Sequence, residues 1–431
     1  MKSPILILNK MLHLNGIIGK TGIIVLAAIL IILPNHGHAI GLSSARATAM
    51  GGSFMGLAKG VYAPLYNPAN VGLSGFSQYG LEIAGVGARI SNNSFSLADY
   101  NEYNGAVLND NDKSTILGKI PSDGLRISAD VEASALSLSF GSLVVSFNGR
   151  AATEVNLGKD ALELFLNGNQ INDTFSLESM YSEAYAYASV GLTYGASIFR
   201  MGTRQLAIGA TYRYIHGFAY EKVTELKGGV VTLATGYEGE GTMVAQTAQG
   251  GTGYAVDLGT ALRISDNYAA GISISNFMSS LSWNNKTEEH GYHFEFDSVT
   301  VENYDDSIVV TNDYTKAIPS FKSNLPAIMR VGLARYSGKL LWAVDWEQGF
   351  RQAAGASSQP RISFGAEYKV IGFLPIRAGY SLGGKKGSVI TGGLGLDFSL
   401  IYLDIAIANH SGLNFEASKG LHLALSTGIR F

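Results

Sequence analysis

Hydrophobic residues alternate one by one with small or polar residues along the last segment of the chain. Leu421, Leu423, Leu425, Thr427, Ile429 and Phe431 interleave with Gly420, His422, Ala424, Ser426, Gly428 and Arg430. A helix turns about 100° per residue and cannot keep that pattern on one face. A strand can, because its side chains point to opposite faces in turn. The same period recurs upstream. Ile362, Phe364, Ala366, Tyr368 and Val370 face away from Arg361, Ser363, Glu367 and Lys369. Leu340, Trp342, Val344 and Trp346 oppose Asp345 and Glu347. Leu394, Leu396 and Phe398 oppose Asp397, and Ile401, Leu403, Ile405 and Ile407 oppose Asp404.

Read along the chain, this period predicts fourteen strands, at 76–91, 126–140, 143–156, 181–199, 204–224, 252–265, 267–284, 326–337, 339–350, 359–371, 373–383, 387–399, 401–409 and 419–431. Their connections alternate in length. Short links fall at Gly141-Ser142, Arg200–Thr203, Asp266, Ser337-Gly338, Gly372 and around Leu400. Long ones fill 92–125, 157–180, 225–251, 285–325, 351–358 and 410–418, and the link at 384–386 is short in a long slot. An even strand number with short turns at one end and long loops at the other predicts an all-β fold: a closed antiparallel transmembrane barrel, with both termini on the periplasmic side. A soluble sandwich would not need all its long loops at one end.

Closure is what lets strands live in lipid, since every backbone N–H and C=O then finds a partner. One face of each strand meets lipid. The other carries Arg213, Asp257, Arg263, Arg330, Asp345, Glu347, Glu367, Arg377, Asp397 and Asp404. Each charge would cost a few kcal/mol at the lipid midplane, so they are expected inside, as a structural polar network of the lumen rather than a binding site. On this register, Arg in place of Leu403 or Leu423 damages the barrel, and Arg in place of Asp404 or Ser426 is milder.

The N-terminal part has no strand period. Lys2, Lys10 and Lys20 precede an apolar run from Ile23 to Leu33, then Pro34 and the small-x-small site Gly37-His38-Ala39. This predicts a signal peptide over residues 1–39; the run is shorter than the roughly 20 residues of a membrane anchor. Residues 40–75 follow, rich in Ala, Gly, Met and Ser, with Pro64 and Pro68 excluding a continuous helix. They suit a plug better than a wall and hold too many apolar residues for a disordered tail. The wall then occupies 76–431.

Composition adds exclusions. The chain has 431 residues, 53 Gly, no Cys and a net charge of −3. No disulfide framework, Cys-ligated zinc or thiol nucleophile is available, and no basic field for nucleic acid is visible. Gly379-Tyr-Ser-Leu-Gly-Gly-Lys-Lys386 misses a phosphate loop at its last position, and its Gly379-x-Ser381-x-Gly383 lacks the helix that a nucleophile elbow needs. Ser381 is expected at an external hairpin tip. His290 and His293, beside Glu288 and Glu289, fall in a predicted external loop, where chance proximity explains them better than a metal. His422 and Ser426 share a face with no identifiable orienting acid. No catalytic residue, metal site or cofactor is assigned.

Residues 44–71 run from Ser44-Ala-Arg-Ala-Thr-Ala-Met-Gly-Gly52 to Tyr66-Asn-Pro-Ala-Asn-Val71. This resembles the opening of the long-chain fatty-acid transporter (FadL) superfamily of outer-membrane barrels. The resemblance implies a fourteen-stranded barrel with a lumenal hatch gated at Asn67, Pro68 and Ala69. Lys59-Gly60 and Asn70 depart from the superfamily's usual residues. Asp160–Asn169, Tyr185–Tyr194 and Ala207–Gly217 are similar to uncharacterised members, and Arg361–Ile407, with Gly365-Ala-Glu-Tyr368 and Arg377-Ala-Gly-Tyr380, resembles the secretion-associated PorV branch. Phe431 looks like the terminal signal read by the barrel-assembly machinery. The resemblance implies passive uptake of small hydrophobic molecules, which a greasy pocket above a movable hatch would serve; loops rich in Phe and Leu lining a pocket would favour this reading. The alternatives are a PorV-like barrel that binds exported proteins and, below both, an outer-membrane lipid hydrolase. Partners would then be outer-membrane lipid, the assembly machinery, and a small hydrophobic solute or an exported protein.

The mature chain is expected to start near Ile40. N-terminal sequencing of membrane-extracted protein checks this, and a start at Met1 with residues 21–34 retained would refute it.

Overall fold

The computed structural model describes residues 42–76, 78–168, 171–299, 310–412 and 414–431; the expected signal peptide lies outside them. Fourteen antiparallel strands close into a barrel. We number them β1 Gln78–Asn92, β2 Leu125–Gly141, β3 Leu143–Leu157, β4 Tyr181–Met201, β5 Arg204–Leu233, β6 Gly250–Arg263 and β7 Tyr268–Asn285. The second half is β8 Ile328–Ser337, β9 Leu340–Gly349, β10 Arg361–Ile371, β11 Leu374–Gly383, β12 Val389–Asp397, β13 Ile401–His410 and β14 Gly420–Arg430. Each strand pairs with its neighbour in sequence, and the ring closes where Ser426 of β14 lies opposite Gly85 of β1. No edge is left in the wall. No helix among the described residues is long and apolar enough to cross a membrane; the wall crosses by strands.

The expected register holds. Leu421, Leu423 and Leu425 face out, while His422, Ala424 and Ser426 are buried inside. Tight turns such as those at Gly202 and Gly338, both at positive φ, gather at one end. There Tyr79, Phe140, Phe199, Phe373 and Phe398 point outward and exposed, the aromatic girdle of a membrane interface.

The long connections differ from the expectation of plain loops. The first holds two capped helices, Leu97–Tyr103 and Asp110–Lys119, and the second holds the helix Lys159–Asn167. β5 continues to Leu233, thirty residues in all, about three times what a bilayer crossing needs. Its outer half pairs with Gly236–Ala248, which pairs with Glu288–Val299, and that in turn with Val310–Ala317. Period two alone does not show where a strand leaves the membrane, because the alternation persists into the extension. Phe175, Val230, Phe294, Phe296 and Val299 pack together in it, with Leu164 of the helix against them. These aromatic residues fill a small core of their own.

Replacing Leu423 by Arg should cost roughly 2–4 kcal/mol if it sits near the bilayer midplane, measured by reversible refolding into lipid vesicles. Replacing exposed Ile371, beside the girdle at the turn end, should cost about 1 kcal/mol or less. Equal losses at both positions would contradict the placement of the membrane band.

Candidate functional site: the closed lumen

Residues 42–76 lie inside the barrel. Their sequence forms only short pieces: helix Ala45–Ala49, capped by Ser44; a 3-10 turn Gly60–Tyr62; helix Ala63–Tyr66; and a 3-10 turn Pro68–Gly72. Alanines and glycines at the surface of these pieces meet alanines and glycines on the wall. Ala45 and Ala49 pack on Ala406 and Ala424, and Ala69 and Leu73 pack on Ala207, Ala261 and Ala269. A larger cluster crosses the lumen, from Met50, Phe54, Tyr62 and Tyr66 to Ala334, Leu341, Ala343 and Tyr402.

Asn67, Pro68 and Ala69, the expected gate, sit against β5, β6 and β7. The Asn67 side chain accepts from the Ala69 N–H (3.0 Å) and donates to the Thr260 carbonyl (2.9 Å). Asn67 thus caps the Pro68–Gly72 turn, and Pro68 needs no N–H there. A Cβ at Gly259 would stand 2.1 Å from Asn67 Oδ1, and one at Gly209 2.5 Å from Pro68. The wall is reduced to bare backbone where the plug leans on it. Asn70, which departs from the family pattern, donates to the Met55 and Ala58 carbonyls (both 2.9 Å) and folds the plug on itself. Lys59 stacks its ammonium 4.7 Å above the Phe76 ring.

The inward charges are largely joined, and several hold the plug. Glu367 receives Arg46 of the plug through two bonds (2.7 and 2.9 Å) and Arg377 at 2.6 Å; Arg377 also reaches Asp404 at 2.6 Å. One Asp345 oxygen accepts the backbone N–H of Phe54 (2.7 Å) and of Met55 (2.8 Å). Arg213 pairs with Asp257 at 2.9 Å, and Glu347 bridges Arg330 (2.7 Å) and Arg361 (3.2 Å). Arg263 and Asp397 are at the turn end: Arg263 donates to the Ser74 carbonyl (3.0 Å), and Asp397 pairs with Arg430 (3.0 Å). Phe431 follows β14, exposed, with its N–H on the Tyr79 carbonyl.

This corrects the idea that inward positions near the C-terminus tolerate Arg. Asp404 is buried against Arg377, and the Ser426 hydroxyl accepts the Ala45 N–H (3.3 Å). A second guanidinium there would displace the plug. Ser381 is also not at a hairpin tip: it lies in β11, side chain inward and buried. His290 and His293 are on the extension strand rather than in a loop. Their rings bond separately, to Thr247 and Thr315 and to Thr242; residues three apart on a strand face opposite ways.

A second closure escapes sequence inspection. Residues 351–358 bend back into the mouth opposite the tight-turn end. The Ala354 N–H donates to Glu183 (3.0 Å), the Tyr185 hydroxyl to the Ala354 carbonyl (3.2 Å), and Arg150 to the Gly355 carbonyl (3.2 Å). Lys385 ties the strap to Glu154. Only Gly355 and the run of small residues hint at it. Between the closures, the lumenal cavities are small, about 40 and about 90 Å3, and charged side chains border both. The greasy pocket expected above the hatch is not found among the described residues. The larger apolar hollows, about 670 and 450 Å3, open on the lipid side.

Residues 68–249 match a sequence family described only as of unknown function, DUF5723. No curated protein matches. Solved structures do match in fold. The Ralstonia pickettii toluene transporter TbuX is 13% identical, covering 93% of this chain and 100% of its own, with a TM-score of 0.50. The Pseudomonas putida toluene transporter TodX is also 13% identical, with coverages of 92% and 99% and a TM-score of 0.51.

Removing one partner of a buried pair costs about 3–5 kcal/mol, so Arg46→Met should free the first plug helix without touching a wall ladder. The protein has no Cys, which makes Ala47→Cys a clean reporter. Its thiol labelling should speed up at least tenfold when Arg46→Met is added, and stay within twofold when Arg213→Met is added instead. In its fold this chain is similar to these toluene transporters: a closed fourteen-stranded antiparallel β-barrel whose lumen is filled by its own N-terminal segment.

Proposed function

We propose that this barrel is a gated channel for small hydrophobic molecules, with residues 42–76 as its inner closure and residues 351–358 as its outer one. The observation that carries this is that the N-terminal segment occupies the lumen yet contributes no strand to the ring. A closure outside the ladder can shift while the wall keeps every hydrogen bond. Shifting it would uncover Leu341, Tyr402, Ala334 and Ala343, with further wall alanines at 207, 261, 269, 406 and 424. The similar structures described as toluene transporters support the solute class. In this reading the tight-turn end and both termini face the periplasm, the extension faces outward, and the chain performs no catalysis. Outer-membrane lipid surrounds it, and Phe431 is its signal to the assembly machinery.

One observation favours a second reading, a PorV-like barrel that receives exported proteins. The outer extension is a built sheet, and Val310–Ala317 is exposed along its whole length. A channel needs no such platform.

Deleting residues 45–70 should leave a folded barrel and raise its single-channel conductance in planar bilayers. Loss of assembly would make the segment part of the wall; unchanged conductance would remove its gating role. A strain lacking the protein should take up a toluene-sized aromatic several-fold more slowly at limiting concentration. Undiminished uptake would refute the channel and leave the platform.

A further inference from the structure

The lumenal cavity of about 90 Å3 lies between the plug and the wall strands from β8 round to β14 and β1, with Gly355 of the strap at its edge. Its lining is unusual for a space enclosed by a plug. Three guanidinium groups, Arg89, Arg330 and Arg361, border it against a single lining carboxylate, Glu347. Asp130 pairs with Arg89 beside it. Two imidazoles also border it. His410 is 2% exposed and His422 is 6% exposed, both on inward faces of wall strands. His422 stands opposite Arg89 in the β14–β1 ladder. His410, one strand over, stands opposite Val389, itself opposite Ser381. Three adjacent strands, β1, β14 and β13, together with β11 therefore carry Arg89, His422, His410 and Ser381 toward one space.

Three polar atoms of these side chains have no hydrogen-bond partner: His410 Nδ1, His422 Nε2 and Arg361 Nε. Buried polar groups left unpaired each cost about 1–3 kcal/mol, and several in one cavity call for a shared partner. On the plug side, Gly52 sits at φ +89, and a Cβ there would stand 3.1 Å from Arg361 Nη2. The plug is thus cut back where the guanidinium enters. Thr48 lines the same cavity from the first plug helix.

We propose that this cavity binds a small oxyanion, held by Arg361, His410 and His422 and locking plug to wall. Guanidinium and imidazole N–H groups are the donors that carboxylate and phosphate oxygens take. At about 30 Å3 per water the space holds about three waters, enough for a tetrahedral anion or a carboxylate and too little for an acyl tail. The occupant is therefore a free anion and not the head of a lipid. This site is independent of whether the barrel conducts.

Full-length mature protein in detergent and chloride buffer, labelled with 15N-histidine, tests it. Titration with inorganic phosphate should give one saturable site by calorimetry and should move the imidazole signals of the two histidines protected from solvent exchange. The double variant His410→Gln/His422→Gln should weaken phosphate at least tenfold, while Arg126→Gln, outside the cavity, should leave it within twofold. Saturable binding of acetate without phosphate also upholds the site and makes its ligand a carboxylate. Laurate binding tenfold tighter than acetate would overturn the claim of a tail-free occupant. If neither phosphate nor acetate moves the protected imidazoles in the unmutated protein, the cavity holds only water and the proposal fails.

Discussion

In a bilayer no water stands ready to satisfy a backbone N–H or C=O, and that single constraint shapes this protein. The wall must close on itself, so β14 returns to β1 and fourteen ladders share all the main-chain groups. Closing a ring of that size leaves a hole that wall side chains alone do not fill. The plug answers the hole, and it must do so with no ladder to join. Its backbone therefore satisfies itself in single turns, or borrows from side chains. Asp345 takes the N–H groups of Phe54 and Met55, and Thr391 donates to the Ala49 carbonyl (2.7 Å).

The same need explains why the wall's interior is so small-chained. Where the plug touches it, the wall presents Ala406, Ala424, Ala207 and Ala261, or glycine at 209 and 259. Larger residues would hold the plug off and leave gaps that cost packing on both sides. Charge then supplies direction. Arg46 has one carboxylate within reach that is also bound by Arg377, so the first helix has one favourable rotation. Apolar contacts between alanines could not select it.

Much of this was legible in the sequence, for a physical reason. Strict alternation is forced wherever one face meets lipid, so Leu421 to Ile429 or Ile401 to Ile407 could be assigned a register from residue types alone. The fourteen segments and their alternating links followed from the same rule. Where no lipid boundary acts, the rule falls silent. The alternation in β5 runs on past the membrane to Leu233, and nothing local marks the exit. Inward residues were identified as inward, but their partners were not. Glu367 to Arg46 spans 321 positions, and such a pairing depends on how the plug lies rather than on any local pattern. The burial of Ser381 and the strap at 351–358 are illegible for the same reason: each is defined by what lies across the lumen.

A lumen closed twice makes each closure's strength meaningful. The strap is held chiefly by bonds to its own backbone, from Arg150, Glu183 and Tyr185, and its buried side chains are mere methyl groups at Ala353, Ala354 and Ala356. It can leave the mouth while uncovering little apolar surface. The plug is different. Phe54, Tyr62 and Tyr66 are buried to 5% exposure or less, and moving them as a body would expose several large apolar side chains at about 1.5–3 kcal/mol each. The strap is thus held by less apolar surface than the plug. In the proposed channel the plug would yield by sliding along a wall already lined with alanine, trading one apolar contact for another and keeping water out.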